Sequence, residues 1–515
     1  MEFFFLTLFI GFLWTWLRAE QRRERAKKAY QFVADLRLAG ARFADNLDLK
    51  RAGFFKRARD AIRIGWSPDG KHPIYYHGTG HLLTVSPPRW GKGIFLLIVA
   101  LLTWANSVVV VDPKMELCAV AGRYRRRFGT VYVLDPFRMG DDMPEAVRGL
   151  RCVGFNPVAD LDVNSPGFHA DADRIASACV WDEGGDGYHF ATAARILVSG
   201  GIAAVVRHGK PEDRNLKTVA QIISGGNVLE FCREVVSKTT DPYIVQKLGR
   251  FAKDEAKTSK EVADVISTAI TQLGFISGAV AEHLADPNCL RPGELRTRRG
   301  TSAFMCVPLT RLDTHGDKYF RLVTESLLAS LLNIKAGRRH RILMILDEFA
   351  QLGPRMKSIE NAMGMAAGAA GLQLWCVIQS ISQLVSMFPK SWTVFIQGCG
   401  VTMWGRARDH ETREIISRLG GVTTILSGSR SVSIDPRTGE PHVSDGVSQH
   451  TRPLIHEYQA GELPPDRMYL FMEKIDGPVQ AKLKPYFKCG EFSGYGENPY
   501  VRKQGGGLMG WLFGK

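Results

Sequence analysis

Short apolar runs recur along the chain, and several end in a polar residue or Pro. Runs of this kind, buried on both faces, are typical of strands in a parallel sheet. They read HLLTV (81–85), SVVVV (107–111), VYVL (131–134), SAFMCVP (302–308), ILMIL (342–346), LQLWCVIQS (372–380), VTMWG (401–405) and MYLFME (468–473). Because segments with helical spacing lie between the runs, we predict an α/β fold with a large, mainly parallel sheet covered by helices on both faces.

The alternation of strands and helices stops between about residues 156 and 292. Segments such as HFATAARILVSGGIAAVVRHG and SKEVADVISTAITQLGFIS carry apolar residues at helical spacing instead. We therefore predict an all-α domain, 156–295, inserted into the α/β fold. Its basic residues alternate with acidic ones, which is typical of a solvated surface and gives no sign of a base-reading element.

The first 17 residues, MEFFFLTLFIGFLWTWL, form an apolar stretch of about 25 Å if helical. Two Trp residues end it and a cluster of Arg and Lys follows at once. The positive flank favours an uncleaved membrane helix with its N-terminus outside and the following chain in the cytoplasm. The alternative is a buried core helix; a cleaved signal would carry its positive charge before the apolar stretch.

Composition narrows the class of protein. The 515 residues are 45% hydrophobic and 23% charged, which excludes a disordered, collagen-like or disulfide-scaffold chain. The net charge of +15 favours polyanions or anionic membrane surfaces as partners. Nine scattered cysteines form no CxxC pair, so we expect a reducing compartment and no structural zinc.

A glycine-containing loop, SPPRWGKG, joins the first predicted strand to an apolar helix. A phosphate-binding loop presents backbone N–H groups at a helix N-terminus and a lysine to the β- and γ-phosphates. Gly91 and Lys92 match the centre of that motif, but Ser86 stands where its first Gly belongs and Gly93 where its Mg²⁺-binding hydroxyl belongs. The predicted nucleotide-binding residues are Ser86, Pro87, Pro88, Arg89, Trp90, Gly91, Lys92 and Gly93. The alternative is a turn that only caps a buried helix.

Polar side chains follow several of the other predicted strands. Asp347 and Glu348 come directly after ILMIL, where we expect Asp347 to hold Mg²⁺ and Glu348 to orient an attacking water. Gln379 is a candidate for sensing the γ-phosphate, and Asp112 and Asp135 end two further strands. The alternatives are an acidic pair that caps the next helix and a hydrogen-bonded glutamine at a strand end.

The order of these motifs resembles that of the TraG-like coupling proteins of type IV secretion, the conjugative DNA-transfer ATPases. The resemblance covers about residues 80–486 and rests on GHLLTVSPPRWGKG, VVVVDPK, YVLDPF, FNP, LDEFAQLG and VIQSISQL. It implies a RecA-like P-loop ATPase core with ATP and Mg²⁺ as cofactors, assembled as a homo-hexamer. The resemblance implies that Lys92 binds phosphates, that Asp347 holds the metal and that Glu348 orients the water. It also implies that Gln379 acts as a sensor of the γ-phosphate.

The resemblance also implies an arginine that reaches the active site of the neighbouring subunit. Arg406 is the candidate, with Arg408 and Arg413 beside it; the alternative is ordinary ion pairing with nearby acids on a helix surface. The implied partners are single-stranded DNA with its relaxase, secreted proteins and the type IV secretion channel. The implied location is the bacterial inner membrane, crossed once, with the ATPase body in the cytoplasm.

The predicted domains are an anchor (1–17), a basic juxtamembrane segment (18–79), two parts of a nucleotide-binding domain (80–155 and 296–490), the all-α domain (156–295) and a flexible tail (491–515). Three other functions remain open at this point. They are a substrate receptor that does not hydrolyse ATP, a double-stranded DNA translocase, and an ATPase that assembles the channel without DNA.

Overall fold

A computed structural model describes Glu20 and residues 40–181, 188–311, 316–332, 340–353, 356–364, 371–434, 437 and 441–500. The predicted membrane helix, residues 18, 19 and 21–39 of the basic segment that follows it, and the glycines at 505–507 lie outside the described residues. The chain divides into two compact units. Among the described residues, the larger unit lies within 43–416 and 457–515, and the smaller lies within 1–42 and 417–456.

A twelve-stranded sheet forms the centre of the larger unit. Its strands are β1 (Ile62–Trp66), β2 (Pro73–Tyr76), β3 (His81–Val85), β4 (Ser107–Val111), β5 (Val131–Leu134), β6 (Arg151–Cys152), β7 (Ser302–Met305), β8 (Ile342–Leu346), β9 (Leu372–Ile378), β10 (Cys399–Trp404), β13 (Arg467–Met472) and β14 (Val479–Lys482). The strands β11 (Val422–Ile434) and β12 (Pro441–Pro453) belong to the smaller unit. They lie in the order β2-β1-β14-β13-β10-β3-β9-β8-β4-β7-β5-β6. All eight strands predicted from apolar runs belong to this sheet.

The sheet has a parallel part and an antiparallel part. From β10 to β6, eight neighbouring strands run parallel, whereas β13, β14, β1 and β2 pair antiparallel along the other edge. The sequence did not predict β1, β2, β6 or β14. These strands have two to five residues and mix polar with apolar positions, so they lack the long apolar run that marks the central strands.

The helices of the α/β part follow the strands, as in a parallel sheet covered on both faces. They are Asn46–Arg51, Gly93–Thr103, Glu116–Arg125, Met139–Asp142, Pro144–Val147, Asp317–Leu332, Lys357–Gly364, Ile381–Met387, Val394–Gln397, His410–Gly420 and Glu457–Gly461. The first five residues of Gly93–Thr103 form a π-helical turn, and the helix is buried from Ile94 to Leu102. Trp104, Trp375 and Trp404 are fully buried in the core, and each indole N–H donates to an internal oxygen.

The region between β6 and β7 contains helices and no strand in its described residues. These helices are Phe168–Cys179, Tyr188–His208, Leu216–Ser224, Val228–Lys238, Pro242–Ala252, Lys260–Leu273, Gly278–Ala285 and Pro292–Thr297. Asn215, Asp241 and Ser259 cap three of them by accepting from backbone N–H groups of the first turn. The predicted α/β fold with an inserted all-α region is confirmed.

One described helix, Tyr188–His208, is long and apolar enough to cross a membrane. Of its most apolar 18-residue window, 72% is buried inside the protein. It packs against the helices Phe168–Cys179, Pro242–Ala252 and Lys260–Leu273. Its apolar composition is therefore accounted for by burial within the inserted helical region.

The smaller unit contains a long antiparallel hairpin of β11 (Val422–Ile434) and β12 (Pro441–Pro453). The register runs without a bulge from Val422 opposite Pro453 to Ile434 opposite Pro441. The sequence did not predict this hairpin, because its strands are rich in Ser, Thr and Gly and have no apolar run.

Candidate functional site

Four adjacent parallel strands place the predicted site residues at one edge of the sheet. In the order β3-β9-β8-β4, they end at Val85, Ile378, Leu346 and Val111. Ligands of open α/β sheets bind beyond these carboxyl ends. The glycine-containing loop, Gln379, the Asp347–Glu348 pair and Asp112 therefore share one edge, although up to 293 positions separate them in the chain.

Glycine is required at the centre of the loop between β3 and the helix Gly93–Thr103. Gly91 has φ of +93°, which L side chains rarely adopt, and a Cβ there would lie 2.6 Å from the ring of Phe95. Arg89 also has a positive φ, of 62°. At the start of the loop, the buried Ser86 donates its backbone N–H to the carbonyl of Ile378, which ties β3 to β9.

The bulky ring of Trp90 packs into the core and does not line the cavity beside the loop. It is 7% exposed and makes an edge-on contact with Phe95, with ring centroids 6.4 Å apart. Gly405, after β10, leaves room for it, since a Cβ there would lie 2.7 Å from an indole carbon. Trp90 thus anchors the loop without blocking the cavity.

The ammonium group of Lys92 contacts both acids that follow β8. Its Nζ lies 3.2 Å from Glu348 Oε1 and 3.5 Å from Asp347 Oδ1. Gln379 Nε2 donates to Glu348 Oε2 at 2.9 Å, and Lys114 Nζ lies 3.5 Å from Glu348 Oε1. The side chains of Lys92, Asp347 and Glu348 are only 10–14% exposed, so these charges are largely shielded from water.

Burial and the nearby charges set the protonation of this cluster. Burial raises the pKa of Asp347, and the lysines oppose this only in part. Burial also acts to raise the pKa of Glu348, but Lys92, the Gln379 amide and Lys114 outweigh it, so this pKa lies below its usual value. For Lys92, burial lowers the pKa and the two carboxylates raise it above its usual value. Lys92 is therefore an ammonium and Glu348 a carboxylate at neutral pH.

Unusual backbone conformations concentrate at the same edge. Of the five described non-glycine residues with positive φ, four follow β3, β4, β5 and β8: Arg89, Met115, Arg138 and Glu348. Such conformations are strained and persist where the surrounding structure enforces them, as they often do at functional sites. At Glu348, φ is 52° and ψ is 45°, and this turn directs the backbone away from the strand just after Asp347.

A cavity of about 520 Å³ lies beside the loop and Asp347. Its lining residues are Arg89, Gly91, Lys92, Gly93, Ile94, Pro113, Lys114, Glu116, Met139, Pro308, Thr310, Asp347, Asn498 and Tyr500. This volume lies within the usual range for small-molecule sites. An anion bound there would meet the ammonium groups of Lys92 and Lys114 and the N-terminus of the helix Gly93–Thr103.

The candidate arginine after β10 takes no part in this cluster. Arg406 is exposed, and its Nε donates to the backbone carbonyl of Leu463 at 3.1 Å. Arg408 is exposed as well, and Arg413 Nε donates to the carbonyl of Ala407. Within the single chain, Lys92, Asp347, Glu348 and Gln379 come together, whereas the three arginines remain outside the cavity.

Sequence reasoning missed several lining residues. Lys114 and Glu116 follow the β4 strand in VDPKMEL. The strand-end pattern there indicates only Asp112 as a candidate. Asn498 and Tyr500 belong to the segment assigned to a flexible tail, and no local pattern marks them. Gly496 N–H donates to the carbonyl of Val120, which holds this segment along the helix Glu116–Arg125.

Known proteins resemble this chain over most of its length. The family described as Type IV secretory system Conjugative DNA transfer matches residues 42–504. Conjugal transfer protein TraG of Escherichia coli is 27% identical over 508 residues, covering 90% of this chain and 76% of that protein. Protein VirD4 of Agrobacterium fabrum is 26% identical, covering 79% of this chain and 58% of that protein.

Solved structures share the fold. The plasmid coupling protein TrwB, in complex with a non-hydrolysable ATP analogue, superposes with a TM-score of 0.64 at 17% identity, covering 87% of this chain and 94% of that one. TrwB in complex with ADP and Mg²⁺ gives a TM-score of 0.62, also at 17% identity. With the family match spanning nine-tenths of its residues, this chain belongs to the type IV secretion family of conjugative DNA-transfer coupling proteins.

Proposed function

We propose that this protein hydrolyses ATP with Mg²⁺ and couples hydrolysis to the passage of single-stranded DNA, with its relaxase, or of effector proteins into a type IV secretion channel. The proposal rests on the buried contact of Lys92 with Asp347 and Glu348 beside a phosphate-type loop. The printed names of the relatives, conjugal transfer and coupling proteins, agree with it.

The chemistry of the cavity suits a nucleoside triphosphate with its metal. Lys92, charged and shielded from water, offers phosphate oxygens a strong partner, and Gly91 lines the same cavity. Asp347 offers the carboxylate oxygen that Mg²⁺ prefers. When bound, Mg²⁺ supplies charge neutralisation on the phosphates.

We assign distinct roles to the acids and the amide. Asp347 holds the metal, and Glu348, ionised through its contacts with Lys92 and Gln379, orients and polarises the attacking water. Gln379 positions Glu348 through its 2.9 Å hydrogen bond. Binding of phosphates would draw Lys92 toward the γ-phosphate and release Glu348 from its ion pair with Lys92. The site thereby links loading of nucleotide to exposure of the group that orients water.

An arginine from the neighbouring subunit would complete the site in a homo-hexamer. Arg406 is suited to that role because it is exposed at the end of β10, the strand next to β3. An exposed guanidinium at the carboxyl edge of the sheet can reach outward to a neighbouring copy. We therefore propose a ring in which each site uses Lys92, Asp347, Glu348 and Gln379 of one subunit and Arg406 of the next.

The test is ATP hydrolysis by the full-length protein in lipid, with single-stranded DNA, with duplex DNA and without DNA. We expect single strands to stimulate turnover, and DNA affinity to fall with salt at a log–log slope of about −0.7 per neutralised phosphate. Lys92→Ala should abolish turnover, whereas Lys71→Ala, at an exposed position, should not. Stimulation by duplex alone would indicate a double-stranded DNA translocase, and no hydrolysis under any condition would indicate a receptor.

A further inference from the structure

The loop lacks one group that phosphate-binding loops normally supply to the metal. In the usual motif, a Ser or Thr hydroxyl directly follows the lysine and binds Mg²⁺. Here Gly93 occupies that position and has no side chain. If the loop binds a nucleotide with its metal, another oxygen must take the place of this hydroxyl or the coordination there is left to water.

A carboxylate lies where the hydroxyl is missing. A Cβ built on Gly93 would lie 3.9 Å from Glu116 Cδ and 3.9 Å from each carboxylate oxygen, the nearest described atoms outside the residues next to Gly93 and its own helix backbone. Glu116 is half-buried and lines the same cavity as Gly93, Lys92 and Asp347. The carboxylate thus occupies the space next to the missing side chain, in the cavity that Lys92 and Asp347 also line.

The position of Glu116 is fixed from two sides. Met115, with φ of 56°, turns the chain after β4 so that Glu116 is the first residue of the helix Glu116–Arg125. From the other side, Asn498 Nδ2 donates to Glu116 Oε1 at 2.7 Å, and Tyr500 Oη donates to the backbone carbonyl of Lys114 at 2.6 Å. This C-terminal segment holds the Glu116 carboxylate in place through its hydrogen bond to Oε1, and its two bonds described here do not involve Oε2.

We propose that Glu116 takes the place of the missing hydroxyl and, together with Asp347, holds the Mg²⁺ of the bound nucleotide, directly or through water. The inference rests on the proposed function, because it requires a nucleotide at the loop. Mg²⁺ is commonly held by one or two carboxylates together with phosphate oxygens and water, so the donor set fits. Asn498 is then a positioning residue that orients Glu116.

The test compares the binding of ADP with and without a metal by the full-length protein. Mn²⁺ replaces Mg²⁺ so that electron paramagnetic resonance reports the bound metal. We expect Glu116→Gln, which keeps the side-chain shape, to weaken Mn²⁺·ADP by about 10- to 100-fold, the usual effect of altering a metal site. In EDTA its affinity for ADP should be unchanged or higher, because a negative charge near the phosphates is removed.

Restoring the usual motif gives the decisive control. Gly93 does not have a positive φ, and a Cβ there would come no closer than 3.9 Å to the Glu116 carboxylate, so Gly93→Ser is accommodated. In the Glu116→Gln background, Gly93→Ser should recover most of the lost affinity for Mn²⁺·ADP. Glu145→Gln, at an exposed position, should leave both affinities unchanged. Asn498→Ala should weaken Mn²⁺·ADP less than Glu116→Gln and leave the metal-free affinity unaltered.

Two results would overturn the inference. One is an unchanged affinity for Mn²⁺·ADP in Glu116→Gln, and the other is a loss that Gly93→Ser does not recover. Lys92→Ala distinguishes an error in the role of Glu116 from an error in the proposed function. If Lys92→Ala abolishes ADP binding in EDTA while Glu116→Gln behaves like the wild type with metal, only the role of Glu116 is wrong. If Lys92→Ala binds ADP normally, the nucleotide site itself is wrong.

Discussion

Charged side chains are used differently at the carboxyl edge of the sheet and on the surface of the inserted helices. At the edge, Lys92 and its two carboxylates are 10–14% exposed. On the helices, Arg233 pairs with Asp254 at 3.1 Å, but the two side chains are 41% and 89% exposed. Both regions contain opposite charges in contact, so contact alone does not distinguish a site from a solvated surface.

Burial makes the difference. Separating a shielded ion pair leaves an uncompensated charge, at a cost of about 3–5 kcal/mol, whereas exposed pairs contribute about 0–1 kcal/mol. The two regions should therefore respond very differently to the same type of substitution.

The largest effect is expected at Lys92. Lys92→Ala removes the cation that binds phosphates and leaves Asp347 and Glu348 side by side without it. We expect ATP affinity to fall by about 100-fold or more, as the loss of a shielded charge contact implies. Equilibrium binding of a fluorescent ATP analogue measures this, with Lys71→Ala as the exposed control. Equal affinity for the two variants would remove the distinction between the regions.

The next effect concerns a titratable group of the inserted helices that is kept neutral. His283 Nε2 lies 2.8 Å from Tyr319 Oη, at hydrogen-bond distance. Burial lowers the pKa of His283 to about 4. The folded protein therefore binds fewer protons than the unfolded chain between about pH 4 and 6.5. Its stability should fall as the pH drops through this window, by at most about 3 kcal/mol.

His283→Gln should remove this part of the pH dependence. The melting temperatures of the wild type and the variant, measured from pH 7.5 to 4.5, should converge as the wild type loses stability at low pH. The same slope for both proteins would contradict a neutral His283 and would show that another group titrates in this window.

A smaller effect is expected at Gln379. Its amide donates to Glu348, and hydrogen bonds to charged groups contribute about 1.5–3 kcal/mol. Gln379→Ala should therefore slow ATP turnover by at least about tenfold while ATP affinity stays within about threefold. Gln221→Ala, on an exposed helix face, is the matched control. A loss of affinity equal to the loss of turnover would mean that Gln379 binds nucleotide rather than positioning Glu348.

The smallest effect is expected on the helix surface. Arg233→Ala should change the melting temperature by less than about 2 °C. Arg125 provides the contrast within the α/β core, since its buried guanidinium donates to three backbone carbonyls in 101–106. Arg125→Ala should destabilise the protein strongly by leaving these acceptors unpaired. Similar shifts for the two variants would show that burial does not separate the regions.

The sequence predicted the parallel strands and the central cluster for a physical reason. Strands buried on both faces require long apolar runs, and the acids that end them are forced to one edge by parallel pairing. This is why Lys92, Asp347, Glu348 and Gln379 could be assigned before their distances were known. The short strands β1, β2 and β14 have no such run, and the hairpin β11–β12 is polar throughout.

Other parts of the site depend on contacts that no local pattern encodes. Asn498 and Tyr500 reach the cavity because the chain after Tyr486 runs back along the helix Glu116–Arg125. No sequence pattern marks Glu116, because its proposed role depends on its distance from Gly93, which only the folded chain defines. The place of the Trp90 ring is likewise defined only by the folded chain, through its contact with Phe95.

A comparison of ATP binding and ATP hydrolysis in Glu348→Gln tests whether Glu348 orients the attacking water. If the shielded cluster is a hydrolytic site, the variant should bind ATP within about threefold of the wild type and hydrolyse it about 100-fold more slowly or worse, because the group that orients water is lost. Turnover equal to that of the wild type, in an assembled and DNA-bound protein, would show that Glu348 does not orient the attacking water.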